Sequence, residues 1–517
     1  MKRLGIDFGT SYIKCSDASK EQLIPLDKKR GGESLNKIAN IITYFNDGQI
    51  KLGTPLKRFR KPDEVPDEVV ISNIKTKLSD KIWTQTLNNG KEINAVKVTD
   101  DVFKCIYDLL HLKNKNENDL RATITTPVCF SERQREIVRR AAEKAGFKVE
   151  SVITEPFASL FYLMRDNLDE NHNVLIIDIG GGTLDICLVR ITVEDDVCEI
   201  KTESTVGLNL GGITINNKII DEILIKKYHD KLAPLLIDTG KNNEADVNRY
   251  NLFNDVDDIK QEIFQEDYDE ENNDELHDII CGAWKESFEM SLSANDIFRM
   301  LDDNKISDIL VNMLDNVIDD SSLLCEEITD VFLTGGSSMI PYFKNVVTEY
   351  FRDNGTDDTD ELFELFENLD FEEQAVGAVA LGAGIYNVIT SEENENYSIK
   401  DKIPFTIFTK DSSGKIKTKL MADCSYKSYR SLEGIIDANH LKENRIDVYQ
   451  KMPDENGTEI YIGYIELDNS IVEKCKYFKL GINIDRKVFA EFGNIEGNKN
   501  NAEFVTAGEK KYLRIDI

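Results

Sequence analysis

Two glycine turns contain the residues of this chain that are best suited to chemistry. Each follows an apolar run that ends in an aspartate: Asp7 precedes the turn 9–11, and Asp178 precedes the turn 180–183. Glycine lets a backbone turn this tightly with its amides pointing outward, and such amides bind anionic oxygens. A carboxylate beside them suits a hydrated metal ion that also contacts phosphate. One such turn fits an ordinary hairpin equally well, but its recurrence favours a phosphate site.

Each turn lies between two apolar segments that predict strands. Residues 174–177 predict a buried strand, and residues 184–189, which include Asp185, predict a second one. The turn is therefore a strand–turn–strand hairpin. The N-terminal stretch 4–14 repeats the pattern. Two matching hairpins far apart in the chain imply two related lobes that face one nucleotide.

Composition excludes several classes of protein. The chain has 517 residues, enough for two or three domains, and 41 % of them are hydrophobic, which excludes a mostly disordered chain. The net charge of −32 argues against nucleic acid or an anionic membrane as a partner. Nine scattered cysteines without a C-x-x-C pair predict reduced, buried thiols, and the five histidines show no metal-ligand spacing.

No targeting or membrane segment is expected. The start MKRLGIDFGT lacks a long apolar stretch, so no signal peptide is predicted. No run reaches the roughly 18 apolar residues that a membrane span requires. A cytoplasmic location is the expectation.

The duplicated hairpins resemble the actin-like ATPase superfamily, and further motifs resemble its DnaK-type chaperones, the Hsp70 family. These motifs are SVITEP at 151–156, LGG at 210–212, GGSSMIP at 335–341 and AVALGAGIY at 378–386. They occur in the family's order. The resemblance implies ATP or ADP and Mg²⁺ as cofactors, and a slow ATPase used as a switch.

The resemblance also implies roles for individual residues. Asp7 and Asp178 would hold Mg²⁺ through water. The remaining catalytic candidates are Lys57, Glu155 and Asp185, which would orient water and metal, and Thr183, whose backbone amide would hold phosphate. Nucleotide contacts are implied for Gly9, Thr10, Ser11, Tyr12, Gly180, Gly181, Gly182, Gly211, Gly212, Asp257, Lys260, Gly335, Gly336, Ser337 and Met339. Pro127 and Arg135 match residues that couple the nucleotide to the neighbouring domain.

Two positions depart from the family pattern around the base. Met339 stands where the family usually has an arginine stacked on adenine, and Phe264 stands where a serine is usual. Methionine packs against a ring but supplies no cation. A looser hold on adenine is therefore expected.

The predicted architecture is α/β. An actin-like ATPase domain of two ribonuclease H-like lobes is expected over residues 1–386, and a polar linker over 387–402. Short alternating segments with turn signals predict a small antiparallel β-sandwich over 403–517, which resembles the family's peptide-binding domain. The chain ends in strand-like KKYLRIDI, so the helical lid that normally follows is expected to be absent.

The favoured function is an ATP-dependent chaperone whose β-domain binds unfolded peptide or a dedicated client. An actin-like scaffold or filament protein is the first alternative, although the second domain and the large negative charge oppose self-association. A sugar or small-acid kinase is the other, but no carboxylate base for it is evident.

Co-chaperones are possible partners in the favoured reading. A J-domain protein and a nucleotide exchange factor are both implied by the family. Ser151 replaces the usual arginine where a J-domain docks, and Lys400 lies in the usually leucine-rich linker. We therefore expect a general J-domain protein to stimulate ATP hydrolysis only weakly. The acidic stretch 194–199 still resembles a docking surface for a J-domain, which is consistent with a dedicated partner.

Overall fold

A computed structural model provides the fold. It describes residues 1–28, 34–53, 68–113, 119–236, 244–264, 268, 272–279, 289–356, 358–367, 377–391, 396–401, 405–411, 413–420, 434–436, 438–451, 458–482, 487–496 and 503–515. Within these ranges no helix is both long enough and apolar enough to cross a membrane.

The strands, in chain order, are β1 (Lys2–Phe8), β2 (Tyr12–Asp17), β3 (Gln22–Leu23), β4 (Asp27–Lys28), β5 (Ser34–Leu35), β6 (Ile38–Ala39), β7 (Ile41–Phe45), β8 (Ile50–Leu52), β9 (Glu68–Ser72), β10 (Thr84–Thr86), β11 (Glu92–Asn94), β12 (Leu120–Thr126), β13 (Lys148–Thr154), β14 (His172–Ile179), β15 (Leu184–Glu194), β16 (Val197–Leu208), β17 (His277–Ile279), β18 (Met290–Leu292), β19 (Asp330–Thr334), β20 (Tyr397–Lys400), β21 (Thr406–Lys410), β22 (Ile416–Leu420), β23 (Gly434–Ile435), β24 (Arg445–Lys451), β25 (Glu459–Glu466), β26 (Tyr477–Ile482), β27 (Val488–Glu496) and β28 (Glu503–Tyr512).

The α-helices are α1 (Ile74–Lys77), α2 (Ala95–Lys113), α3 (Glu132–Ala145), α4 (Glu155–Leu163), α5 (Gly212–Lys218), α6 (Ile225–Lys227), α7 (His229–Leu236), α8 (Glu244–Ile263), α9 (Ala294–Asp303), α10 (Ile306–Asp319), α11 (Pro341–Asp353), α12 (Glu364–Glu367), α13 (Ala378–Ile389), α14 (Ala438–Glu443) and α15 (Asn469–Lys474). A π-helical stretch, Ile219–Leu224, joins α5 to α6.

Two large sheets repeat one arrangement. The first has the order β13-β12-β1-β2-β3, and the second has the order β19-β14-β15-β16-β20. In each, an antiparallel hairpin is flanked by a strand parallel to the hairpin's first strand: β12 beside β1, and β19 beside β14. The two glycine turns therefore lie at equivalent edges of the two sheets.

Helices α4 and α13 join the two lobes. Both contribute to one buried cluster with Val174 and Val189 of the second sheet. On the other side, Ser16 of the first sheet donates its hydroxyl to the carbonyl of Ala380 at 2.6 Å. The helices cross so closely that a Cβ on Gly382 would lie 1.8 Å from the carbonyl oxygen of Ala158. Only glycine permits this approach.

Local signals in the sequence explain how α3 begins and ends. Ser131 and Gln134 exchange side-chain and backbone hydrogen bonds at its start, which forms a capping box. Gly146 ends it with a φ of 120°, a conformation that favours glycine. Helix α3 is thereby fixed directly after β12, between the first sheet and the C-terminal region.

The C-terminal region contains two four-stranded antiparallel sheets, β22-β21-β24-β25 and β23-β26-β27-β28. Ile407 and Val448 of the first sheet and Phe478 and Phe492 of the second belong to one buried cluster. Along β24, buried residues alternate with less buried ones, and the buried side chains contribute to this shared core.

The segment before this region adds a strand to the second lobe. Helix α13 continues to Ile389, three residues past the predicted domain boundary. Strand β20 then pairs in parallel with β16. Lys400 forms an ion pair with Glu199 at 2.5 Å, and Asp401 accepts a hydrogen bond from the hydroxyl of Thr202 at 2.6 Å. The domain boundaries themselves stay a prediction.

Candidate functional site

The tips of the two glycine turns face each other. A Cβ on Gly181 would lie 2.4 Å from the hydroxyl oxygen of Ser11, and a Cβ on Gly182 would lie 2.7 Å from that of Thr10. Glycine is thus required at both positions because the opposite turn takes the space of a side chain. The fold brings the two halves of the sequence motif into one cleft.

The first turn is held from behind by Asn40. Its side-chain amide donates to the carbonyl of Gly9 at 2.8 Å, and its backbone N–H donates to the carbonyl of Ser11 at 2.8 Å. Tyr12 begins β2, and the ammonium of Lys37 lies 4.5 Å from the centre of its ring. Asn40 therefore fixes the backbone of this turn through both of its outer residues.

The second turn is held by helix α5. The backbone N–H groups of Gly212 and Ile213 donate to the carbonyls of Gly180 and Gly181 at 3.0 and 2.8 Å. Within the turn, Gly180 donates to the carbonyl of Thr183 at 2.9 Å. Helix α5 therefore starts directly against the turn.

Gly211 and Ser337 complete this wall of the cleft. A Cβ on Gly211 would lie 2.8 Å from the backbone nitrogen of Thr183. Ser337 donates its hydroxyl to the carbonyl of Gly180 at 3.2 Å. The structure thus brings the LGG and GGSS motifs against the second turn.

Four carboxylates lie buried beneath the turns. Asp7 and Glu155 are 4 % and 6 % exposed, and Asp178 and Asp185 are 3 % and 0 % exposed. Asp178 and Asp185 are directly opposite each other on β14 and β15. Among the described residues, the second side-chain oxygen of Asp185, Oδ2, has no hydrogen-bond partner.

Burial dominates the electrostatics of this cluster. It raises the pKa of Asp178 well above the ordinary value, and Glu155, Asp185 and Asp7 add to the shift by repulsion. Burial also raises the pKa of Asp185 to about 7, with Glu155 as the next cause, and raises the pKa of Glu155. The site therefore disfavours its own negative charge unless a cation neutralises it.

Two lysines partly neutralise the cluster. Lys14 donates to Asp7 at 2.9 Å, and Lys75 forms a short, buried hydrogen bond with Glu155. The short helix α1 places Lys75, following Asn73 in the left-handed conformation, which asparagine tolerates better than most residues.

Sequence reasoning assigned the catalytic lysine to Lys57, which lies outside the described residues, so that role stays a prediction. Lys75 is a functional candidate that the reasoning missed. The signal for it in the sequence is the dipeptide Ile74-Lys75, which matches one that the family has in this part of the chain.

A hydrated divalent cation fits these residues. No three histidine, cysteine or carboxylate groups of the described chain are close enough to ligate a metal directly. The donor set is nevertheless the oxygen chemistry that Mg²⁺ prefers, and Mg²⁺ usually keeps several waters. The unpartnered oxygen of Asp185 and the close contacts of the turns match a cradle filled by water, metal and phosphate oxygens.

A second group of polar side chains lies on α8, beside α5. Asp257 and Lys260 on α8 form an ion pair at 3.2 Å, and Lys260 is 6 % exposed. Burial alone would raise the pKa of Asp257, but Lys260 and the amides of Asn216 and Gln261 together hold it below its ordinary value. A Cβ on Gly212 would lie 3.5 Å from the ammonium of Lys260, so this pair borders the cleft.

Met339 and Phe264, the two residues expected near the base, lie in different surroundings in the structure. Met339 is half-buried in the 3₁₀ turn Gly336–Met339. Phe264, in contrast, is 2 % exposed, and its ring stacks on Phe298 with centres 5.8 Å apart in the core of the second lobe.

Gly335 lies directly against one of the buried carboxylates. It has a φ of 83°, and a Cβ there would lie 2.4 Å from a carboxylate oxygen of Asp178.

The coupling candidates form a path from the carboxylates to the C-terminal region. The backbone N–H of Val128 donates to Asp185 at 3.0 Å. Arg135, 3 % exposed, donates to the carbonyls of Pro127 and Val128, each at 3.4 Å. Its guanidinium lies 5.5 Å from the ring centre of Phe405, beyond the linker.

Comparison with known proteins agrees with this geometry. The family model described as "Hsp70 protein" matches residues 57–458. The chaperone protein DnaK of Ureaplasma urealyticum serovar 10 is 25 % identical over 424 residues, which cover 81 % of this chain and 63 % of the relative. DnaK of Thermoplasma volcanium is 23 % identical over 427 residues, covering 80 % of this chain and 62 % of the relative.

A third relative matches a shorter stretch more strongly. DnaK of Mycoplasmoides gallisepticum is 30 % identical over 232 residues, covering 44 % of this chain and 37 % of the relative. The chain spans less than two thirds of the length of the curated relatives it matches.

The buried carboxylates predict a pH dependence of stability. Because the folded protein raises the pKa of Asp185 from its ordinary value near 4 to about 7, the neutral form stabilises the fold at low pH. This contribution, on the order of 4 kcal/mol, is lost as pH rises from about 4 to 7. Without Mg²⁺ or nucleotide, Asp185→Asn should therefore gain stability relative to the wild type over this range.

Thermal unfolding at constant ionic strength measures the difference at each pH. The control is Asp196→Asn, which changes an exposed aspartate on the loop between β15 and β16. A wild type and an Asp185→Asn variant whose stabilities change in parallel with pH would contradict the electrostatic account.

Proposed function

The chain belongs to the Hsp70 family, and on this basis we propose that it binds ATP and ADP with Mg²⁺ between its two lobes and hydrolyses ATP slowly. Members of this family have an actin-like ATPase domain of this mixed α/β type. We further propose that hydrolysis switches the C-terminal region, a β-sandwich that binds unfolded peptide or a dedicated client. The family does not favour the filament alternative.

One observation carries the nucleotide proposal: two glycine turns meet tip to tip above four buried carboxylates. The turns supply backbone amides for the β- and γ-phosphates. The carboxylates supply an environment whose charge a divalent cation would balance. A ligand that carries both metal and phosphate would account for the amides of the turns and for the buried carboxylates at the same time.

The residues that would orient water come from both sides of the cleft. Bound Mg²⁺ would neutralise charge on the phosphates, with Asp7 and Asp178 holding its waters. Lys75 and Glu155 form a buried pair that would position the attacking water, and Asp185 lies close enough to Glu155 for the two carboxylates to repel each other. Positioning and charge neutralisation are the main contributions a protein makes to phosphoryl transfer.

Coupling follows the path through Asp185, Val128 and Arg135. Any movement of Asp185 is transmitted directly because its oxygen accepts from the backbone of Val128. A Cβ on Gly207 would lie 2.2 Å from the same oxygen of Asp185, so the backbone of Gly207 packs closely against this oxygen and limits its movement. Arg135 then transmits the position of this backbone to Phe405.

Three further contacts hold the C-terminal region against the first lobe. The side chain of Gln450, 0 % exposed, accepts from the backbone N–H of Glu132 at 2.8 Å, at the start of α3. Lys81 donates to the carbonyl of Tyr461 at 3.1 Å. Lys487 pairs with Glu143 at 3.3 Å. These contacts, with β20 added to the second-lobe sheet, correspond in this proposal to a docked state that ATP hydrolysis would release.

Partners follow from this proposal. Unfolded peptide or a client would bind the C-terminal region, and a J-domain protein and an exchange factor would act on the nucleotide cycle. In the linker, Ile399 and Tyr397 pack against the second-lobe core, whereas Lys400 pairs with Glu199. This linker therefore docks on the second lobe partly through an ion pair, where the family usually has an apolar side chain.

Substitution of the buried lysine tests the catalytic assignment. Lys75→Met should reduce single-turnover ATP hydrolysis by roughly 10²–10³-fold because it removes a buried cation from the reacting centre. ATP binding should remain, since Glu155 can take up a proton when its partner is lost. Lys57→Ala, measured in parallel, compares the two candidate lysines. Unchanged hydrolysis in Lys75→Met would refute the assignment.

Peptide-stimulated hydrolysis tests the coupled function. The wild type should hydrolyse ATP slowly and several-fold faster with an unfolded peptide. Gln450→Ala should keep the nucleotide site but weaken stimulation, because it leaves the N–H of Glu132 without its partner. Lys474→Ala changes an exposed residue of α15 and serves as the control. ATPase activity that never responds to peptide would reject the chaperone part of the proposal alone.

A further inference from the structure

Asn216 bridges the two charged residues beside the cleft. Its side-chain N–H donates to Asp257 at 2.8 Å, and its side-chain oxygen accepts from the ammonium of Lys260 at 2.7 Å. The residue is 1 % exposed. An asparagine amide has one donor side and one acceptor side, so it fits between a carboxylate and an ammonium in one orientation only.

The same helix holds the second glycine turn. The first backbone N–H groups of α5 donate to the carbonyls of Gly180 and Gly181, and Asn216 lies one turn further along. A Cβ on Gly212 would lie 2.8 Å from the hydroxyl of Ser337 and 3.5 Å from the ammonium of Lys260. Helix α5 therefore contacts the phosphate turn with its backbone and the Asp257–Lys260 pair with a side chain.

We propose that Asn216 is a positioning residue for the nucleoside part of the ligand, which acts by fixing Asp257 and Lys260 toward the sugar hydroxyls. This inference rests on the proposed nucleotide function. With Asn216 in place, its amide holds the Asp257 carboxylate and the Lys260 ammonium in one arrangement beside the cleft. Asp257 retains acceptor positions, since each carboxylate oxygen can accept two hydrogen bonds.

The proposal separates two parts of the ligand. Phosphate binding depends on the backbone amides of the turns, which Asn216 does not contact through its side chain. Sugar binding depends on the Asp257–Lys260 pair. Loss of the amide should therefore weaken ligands that contain the nucleoside and leave a phosphate-only ligand unaffected.

The test compares ADP with inorganic pyrophosphate, each with Mg²⁺, by calorimetric titration of the full chain. Asn216→Leu, similar in size but without polar atoms, should weaken ADP binding at least roughly tenfold, as expected when a charged hydrogen-bond network is broken. Pyrophosphate affinity should stay within about twofold and show that the variant is folded. Asn216→Asp, which retains the size and the acceptor for Lys260, should weaken ADP binding as well.

The neighbouring Asn217→Ala is the matched control. Its amide donates to the backbone of its own helix and accepts from Arg249 at 3.4 Å, away from the pair. Equal loss of ADP and pyrophosphate in Asn216→Leu, or no loss of either, would overturn the proposed role. A wild type that binds pyrophosphate but no ADP would refute the proposed nucleotide function, and this role with it.

Discussion

The burial of four carboxylates against two glycine turns is the constraint on which the rest of this structure depends. Asp7, Glu155, Asp178 and Asp185 are all less than 10 % exposed, and within the described part of the chain two lysines are paired with them. Such a cluster is costly unless a cation or protons neutralise it. The two sheets hold these groups rigidly because each aspartate lies on a strand that is paired on both sides. The site is thus prepared for a ligand that brings positive charge.

The same burial explains how a small change at the site can reach a distant domain. Asp185 has no room to move independently, since Gly207 and Val128 contact the same oxygen. Arg135 is buried between that backbone and Phe405, where a displaced guanidinium would lose both its carbonyl partners and its aromatic contact. Rigid, packed contacts of this kind favour two discrete arrangements over gradual deformation.

Much of the site could be predicted because many of its residues belong to short sequence motifs. Each aspartate lies within a few residues of its glycine turn, so the spacing indicates both hairpins. Lys75 shows the limit of this reasoning: its role depends on a contact with Glu155, which is 80 residues away in the chain. Phe264 shows another limit, because only the packed structure shows its ring in the core. The sequence analysis describes the segment of β20 only as part of a polar linker, because its pairing with β16 joins residues that are far apart in the chain.

The central claim is that the two turns and the buried carboxylates form one site for nucleotide and metal together. Calorimetric titration of the wild type with ADP, in the presence and absence of Mg²⁺, tests it most directly. The account predicts one site per chain and binding that weakens roughly tenfold or more without Mg²⁺, since the carboxylates then repel the phosphates. Absence of binding, or an affinity that does not change with Mg²⁺, would contradict it.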